Sequence, residues 1–297
     1  MHEIARLLMS AHADLQVDVV VVETAGDQRL DVPVWELGGQ GVFVKEVQAA
    51  VLDGRADLAV HSAKDLPSLA AAGLRIGAVP SRGDVRDALV GGCLADLRPA
   101  ATVATGSVRR RAQLAWLRPD LTFVGLRGNI ATRLSKRPEG GVVVVAAAAL
   151  RRLDLLPGLL DAGTAVDVLA PSVLLPQVGQ GAIAVECRSD DAGAADLLGA
   201  IDDPDTHRAL NAERAFLARL GGGCDLPVGA YAVTEPEGRL VIEGLMASVD
   251  GRVVLRHVVE SSAGPHHDRE LGTDLAEHLL HAGGQALLDG LPRAPGE

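Results

Sequence analysis

The chain has 297 residues, a net charge of −11 and 48% hydrophobic side chains but only 2% aromatic ones, which suits two or three domains with cores of Val, Leu, Ala and Ile. The acidic balance argues against a general nucleic-acid-binding surface, and no apolar run reaches the roughly 20 residues that would cross a bilayer. Met1-His2-Glu3 lacks the marks of a signal peptide, and the scattered Cys93, Cys187 and Cys224 suit neither a disulfide framework nor a zinc cluster, so a cytoplasmic protein with free thiols and no metal is expected.

Residues 2–12 place Ile4, Leu7 and Leu8 on one helical side. Val17–Val22 is a β-branched run broken only by Asp18, which predicts a strand largely buried on both faces. Residues 25–40 are loop-like, with a Gly38-Gly39-Gln40-Gly41 cluster. Phe43–Leu52 reads as an amphipathic helix stopped at Gly54. Leu58-Ala59-Val60 then reads as a parallel-sheet strand that ends abruptly in charge, as His61-Ser62-Ala63-Lys64-Asp65-Leu66-Pro67. Open α/β sheets place their sites at such strand ends; a solvated Lys/Asp loop is the plain alternative. Leu74–Val79 is a further strand.

After Pro80 a new unit is expected. Strands are predicted at 88–90, 102–104, 121–124 and 142–146, and short helices after Ile130 and Ala149. Ser107 is placed to cap a helix reaching about Leu117. A looser segment leads to Pro176, and the strand at 182–186 is positioned to return to the first unit. A helix over 208–220, strands at 228–233, 240–245 and 253–258 and a last helix over 271–288 complete the chain. The Pro-Arg-Ala-Pro-Gly-Glu tail is expected to be disordered.

Charge is unevenly spread. Ser107 to Arg137 holds eight basic side chains against Asp120 alone, which fits a cationic site for an anionic small molecule. Three arginines, Arg109 to Arg111, crowd the first turn of the Ser107-capped helix. Like charges there are unfavourable unless an anion sits between them, which points to a carboxylate or phosphate. Leu126-Arg127-Gly128-Asn129 with Arg133 repeats the arrangement, and arginine forks match carboxylates. Solvated basic helix ends are the alternative for both. Gly221-Gly222-Gly223-Cys224 offers a thiol on a pliant loop, as nucleophile or covalent anchor. Gly179-Gln180-Gly181 lacks the third glycine of a dinucleotide fingerprint.

In order along the chain, several segments resemble the porphobilinogen deaminase (hydroxymethylbilane synthase) family. They are Gly41 to Glu46, Ala59 to Pro67, Ser107-Val108-Arg109-Arg110, Leu126 to Asn129, Thr132-Arg133-Leu134, Gly179 to Ala182 with Glu186-Cys187-Arg188, and Glu213 to Phe216 through Gly222-Gly223-Cys224. The resemblance implies an α/β fold of two doubly wound domains, like type-II periplasmic binding proteins, around a cleft, plus a C-terminal α+β domain. The expected divisions are 1–80 with 182–199, 84–175, and 204–297 as the cofactor-anchoring domain. It implies a dipyrromethane cofactor held through a thioether to Cys224. Four porphobilinogen units are then added in turn, each losing ammonia, and water releases hydroxymethylbilane.

By the same resemblance Asp65 is the catalytic carboxylate that stabilises the cationic azafulvene left when ammonia departs. Lys64, Thr105, Ser107, Arg109, Arg110, Arg127 and Gly128 bind the cofactor with Cys224, and Phe43, Arg133 and Arg152 bind substrate. A monomer acting on a small molecule, with no nucleic acid or membrane partner, is expected. Three departures stand out. Ala104-Thr105-Gly106-Ser107 replaces the family's Gly-Thr-Ser-Ser, Glu36 and Gln40 stand where some members have lysines, and the family's opening strand is absent from domain 1. From the last, a natural start roughly 20 residues upstream is expected, the length of one strand and its turn. The rival readings are a truncated or decayed paralogue and a non-catalytic carboxylate-binding protein of the same fold.

Overall fold

The computed structural model describes residues 1–22, 44–222, 226–261 and 267–290. Within them the protein is a mixed α/β molecule with three sheets. Phe43, Cys224, the positions of Glu36 and Gln40, and the tail lie outside the described residues.

The first sheet joins β1 (Leu58–Ser62), β2 (Leu74–Ala78) and β8 (Ile183–Arg188), in the order β1-β8-β2. The latest strand sits in the middle and runs antiparallel to both neighbours, with Leu58 opposite Cys187 and Leu74 opposite Arg188. The expected parallel pairing of β1 is thus corrected: the chain returns from the second sheet in the opposite sense. Helix α1 (His2–Ala11) buries Ile4 and Leu8 against Ala78, Val185 and Leu198. Helix α2 (Lys45–Leu52) lies along β1 and carries buried Val51 to Ala59 and Leu74. The strand expected at Val17–Val22 does not form. Those residues join no sheet ladder, and Val19, Val20 and Val21 are 45%, 48% and 80% exposed. A β-branched run becomes a strand only where a partner edge and a covering layer meet it, and neither does so here among the described residues.

The second sheet runs β5-β4-β6-β3-β7, from β3 (Asp87–Val90), β4 (Thr102–Ala104), β5 (Thr122–Val124), β6 (Val142–Ala146) and β7 (Val166–Leu169). β4 is parallel to β5 and β6, whereas β3 is antiparallel to β6 and β7. All five residues of β6 are buried. Val142 and Val144 join one core with Leu114 of helix α3 (Val108–Leu117), and Val143 and Val145 another with Leu150 of helix α5 (Ala147–Arg152). Between them in the chain comes helix α4 (Ile130–Ser135). The segment read as loose before Pro176 contains helix α6 (Leu156–Asp161) and β7. β7 is short and keeps its ladder to β3 through Asp167, whose side chain accepts from Leu94 N at 2.8 Å.

Two connections join the first and second sheets, residues 79–86 and 170–182. Helix α7 (Ala192–Gly199) then packs on the first sheet. The third sheet is antiparallel, β11-β10-β9, from β9 (Val228–Thr234), β10 (Leu240–Ala247) and β11 (Val254–Glu260). Helices α8 (Pro204–Arg219) and α9 (Asp268–Leu279) cover one face, with Phe216 fully buried between Ala230, Ile242 and Leu275. The last helix is not continuous. A π turn with Gly283 at φ 113° divides α9 from α10 (Gln285–Asp289).

Candidate active site

β1 ends in a single 3-10 turn, Ala63–Asp65. Strand alternation buries His61, while Lys64 is half-buried and Asp65 opens to solvent. Protein still surrounds Asp65 on most sides. Desolvation pushes its carboxyl up from the ordinary range, and Lys64, Arg133 and His61 only partly offset that. Burial pushes Lys64 down, with Asp65 and Asp87 opposing the effect and Arg110 and Arg109 adding to it. The turn from the first sheet therefore lies within the electrostatic reach of Arg109, Arg110 and Arg133, all from helices of the second.

Those helices begin as their sequences dictate. Ser107 Oγ accepts from Arg110 N at 3.4 Å, and Thr105 Oγ1 accepts from Ser107 N at 3.2 Å. Asn129 Oδ1 accepts from Thr132 N at 2.9 Å. Gly128 turns with φ 115°, and a Cβ there would lie 2.7 Å from the Thr132 side chain. That turn aims the Gly128 carbonyl at Arg133 Nε, 2.7 Å away.

The anion demanded by the arginine cluster is the protein's own. Asp87, at the head of β3, is fully buried and binds both Arg109 and Arg110. Arg109 Nη2 donates to Oδ2 at 2.7 Å, and Arg110 Nε and Nη2 donate to Oδ1 at 3.0 and 2.6 Å. Their remaining forks reach the Leu175 and Val144 carbonyls. Burial alone would push the Asp87 carboxyl up, but the two guanidiniums outweigh it and hold it well below the usual range. Asp87 thus already neutralises part of the charge of these two arginines. Arg111 is exposed and lies over the Phe123 ring at 6.0 Å.

Unspent donors remain. Arg109 Nε and Arg127 Nη1 are buried without a hydrogen-bond partner. Buried guanidinium N–H groups are costly to leave unmatched, and carboxylate oxygens match them. A small cavity is lined by Ser107, Arg109, Gln177, Val178, Leu217, Leu226 and Val228. The unmatched N–H groups therefore suit a carboxylate-bearing ligand. Arg152 stands apart: its Nη2 donates to Gly181 O at 2.8 Å and its Nε lies 3.7 Å from Glu3 Oε2, at the connections between the sheets.

Three buried groups were not singled out from sequence. Asp87 is one; its signal is an acid heading an apolar strand, Asp87-Ala88-Leu89-Val90. Glu213 is fully buried and accepts from Arg82 Nη1 and Nη2, Gly179 N and Ala232 N at 2.6, 3.0, 2.7 and 2.8 Å. It ties both connections to the third sheet. Glu186 accepts twice from Gln48 Nε2, at 3.2 and 2.9 Å. His61 Nε2 lies 3.1 Å from Glu186, near enough for charge attraction but not aligned for a hydrogen bond.

Comparison with known proteins adds an independent result. The family model described as "Porphobilinogen deaminase, dipyromethane cofactor binding domain" matches residues 1–196, and that of the "Porphobilinogen deaminase, C-terminal domain" matches residues 207–281. The chain is similar to porphobilinogen deaminase of Roseiflexus castenholzii, 48% identical over 97% of this chain and 94% of that one. The same name belongs to similar proteins of Syntrophotalea carbinolica, 44% identical over 97% and 90%, and Syntrophobacter fumaroxidans, 42% identical over 94% and 89%.

Proposed function

The chain belongs to the porphobilinogen deaminase family, and we propose that the residues gathered around Asp65 carry that reaction. The protein is a transferase of tetrapyrrole and haem biosynthesis. It joins four porphobilinogen units in succession, with loss of ammonia at each step, and water releases hydroxymethylbilane. Its cofactor is dipyrromethane, which supplies, when bound, the nucleophilic pyrrole on which the chain grows. The matched relatives are all named as deaminases, which leaves the non-catalytic and decayed alternatives without support.

The observation that carries the residue assignment is that Asp65 lies within electrostatic reach of Arg133, and Lys64 within that of Arg109 and Arg110. Loss of ammonia leaves positive charge on the substrate, and a carboxylate facing the cleft stabilises it and helps move protons at the pyrrole nitrogens and the aminomethyl group. In our reading Asp65 is that group. Lys64, Thr105, Ser107, Arg109, Arg110, Arg127 and Gly128 hold the cofactor, and Cys224 anchors it by a thioether. Phe43, Arg133 and Arg152 hold substrate. Every added pyrrole brings two carboxylates, so unmatched N–H groups such as Arg127 Nη1 suit the ligand.

We also propose the finer architecture. Domain 1 is 1–80 with 182–199, domain 2 is 84–175, and 204–297 anchors the cofactor. Support comes from a pattern shared by the first two sheets: β8 lies antiparallel between β1 and β2, as β3 does between β6 and β7. Such a pattern suits two related doubly wound domains of the type-II periplasmic-binding-protein kind around a cleft. We further propose a cytoplasmic monomer acting on a small molecule, without nucleic acid or membrane. The net charge of −11, with cations concentrated at one site, supports that reading. No described helix is long and apolar enough to cross a membrane.

Intact-protein mass spectrometry tests the assignment. The chain should carry a two-pyrrole adduct, Cys224→Ser should lack it, and Cys93→Ser and Cys187→Ser should keep it. An adduct persisting on Cys224→Ser would refute the anchor.

A further inference from the structure

The Gly179-Gln180-Gly181 motif has no part in the chemistry above, yet it occupies a crowded place between the first two sheets. It lies on the second of the two connections that join them. Both glycines have positive φ, 71° and 87°. A Cβ on Gly179 would stand 2.9 Å from Ala63 C and from Lys64 N, and one on Gly181 would stand 2.8 Å from Gly83 O. The motif is thus wedged between the Lys64-Asp65 turn and the first connection, with backbone against backbone on both sides.

Gln180 itself is fully buried. Its Nε2 donates to Val85 O at 2.8 Å, on the first connection, and to Asp87 Oδ1 at 3.0 Å. One amide therefore bridges both connections and touches the carboxylate that Arg109 and Arg110 share. Its backbone carbonyl accepts from Arg82 Nε at 3.0 Å. Its Oε1 is buried without a hydrogen-bond partner. A glutamine kept only for packing would be replaceable by an apolar side chain of like shape, since an unmatched buried acceptor is costly.

We propose that Gln180 is a positioning residue, coupling the joint between the first two units to the arginine pair through Asp87 and to the Lys64-Asp65 turn through its flanking glycines. A change in the angle between the units must break or re-aim the bond to Val85 or the bond to Asp87. Either event moves the carboxylate against which both guanidiniums are set. Lys64, on the other side of the motif, is displaced by the same motion. The units would thus share one geometry at each addition instead of drifting independently. The inference rests on the deaminase reading for its consequence in turnover.

The test uses the full chain. Gln180→Met keeps volume and removes both polar atoms; Gln180→Glu keeps shape and replaces the donor by an oxygen. Both should carry the two-pyrrole adduct, while turnover per loaded molecule falls about tenfold or more and KM moves much less, as a lost positioning contact predicts. In the cofactor-free Cys224→Ser protein, Gln180→Met should speed hydrogen exchange at Leu66 and across residues 82–86. A purely structural glutamine would lower the melting temperature and leave turnover per loaded molecule unchanged, and that result overturns the proposal. So does unchanged exchange at those amides. If Gln180→Met does not fold, Gln180→Glu decides, with wild-type turnover as the overturning result. A wild-type chain with neither adduct nor turnover would overturn the deaminase reading instead, and the exchange measurement would still test the coupling.

Discussion

Asp87 Oδ2 accepts from Arg109 Nη2 at 2.7 Å where both groups are buried. The pair is part of the site's foundation and not a surface ornament, because Arg110 and Gln180 share the same carboxylate. Asp87→Asn should cost about 3–5 kcal/mol in urea unfolding at neutral pH, the usual scale for breaking a buried pair. The sign of the pH dependence follows from the depressed carboxyl. A carboxyl held below its unfolded value contributes stability that is present above that value and is lost as pH falls through the folded one. The gap between variant and wild type should therefore persist through mild acid and close only in strong acid. A gap that closes near the ordinary carboxylate range would show that the pairing is weak.

Asp65 has the opposite shift, so stability and activity should part company there. Its carboxyl is raised by desolvation. A raised acid contributes stability that is fully present below its unfolded value and is lost as pH rises through the folded one. At neutral pH, Asp65→Asn should be as stable as wild type or more so. Turnover should nevertheless fall about 100-fold or more, the scale of a lost acid/base or electrostatic group. Wild-type turnover should decline on the acid side at a pH above the usual carboxylate range. Calorimetry and a pH–rate profile check both, and near-normal turnover in Asp65→Asn would move the catalytic role elsewhere.

Local chemistry made much of the site legible. Ser107 could be read as a helix start because a side-chain oxygen before a helical run caps it whatever the tertiary context. Val142–Ala146 could be read as a strand because β-branched residues buried on both faces leave little else. Partnership was not legible. Val17–Val22 has a strand's composition but no ladder, and β7 has a ladder despite Asp167. Asp87 lay in a charge-rich stretch, and its partners are more than twenty residues away on a helix. Sequence showed that the arginines needed an anion without showing that the protein supplied one.

Arg127 and Arg133 are expected to act on the growing product more than on the fold. Arg127 Nη1 makes no hydrogen bond, and Arg133 Nε donates to Gly128 O. Arg127→Leu and Arg133→Leu should melt within a few degrees of wild type. Mass spectra after limited substrate should show chains stalled at an intermediate length. Normal elongation in both would mean that the carboxylates are held elsewhere.

Glu213 should behave as a structural counter-ion. It is buried under four hydrogen bonds, two of them from Arg82, and Arg82 also stacks over Tyr231 at 5.3 Å. Glu213→Gln leaves the Arg82 charge without its partner and should cost about 3–5 kcal/mol. Limited proteolysis should then cut within residues 79–86 or 176–182 sooner than in wild type. Equal resistance would mean that the third sheet does not brace those connections.

The central strand of the first sheet is also its last to be made. β1 and β2 cannot pair with β8 until Arg188 has been synthesised, whereas the second sheet has all its strands by Leu169. Long-range pairing is slow because its loop-closure cost precedes its reward. Among the described residues, the middle of the protein can therefore fold during translation while β1 and β2 still wait for β8, and such edges are prone to aggregate. The early strands depend for their rescue on the return of the chain, so chaperone demand should peak between the emergence of β2 and that of β8.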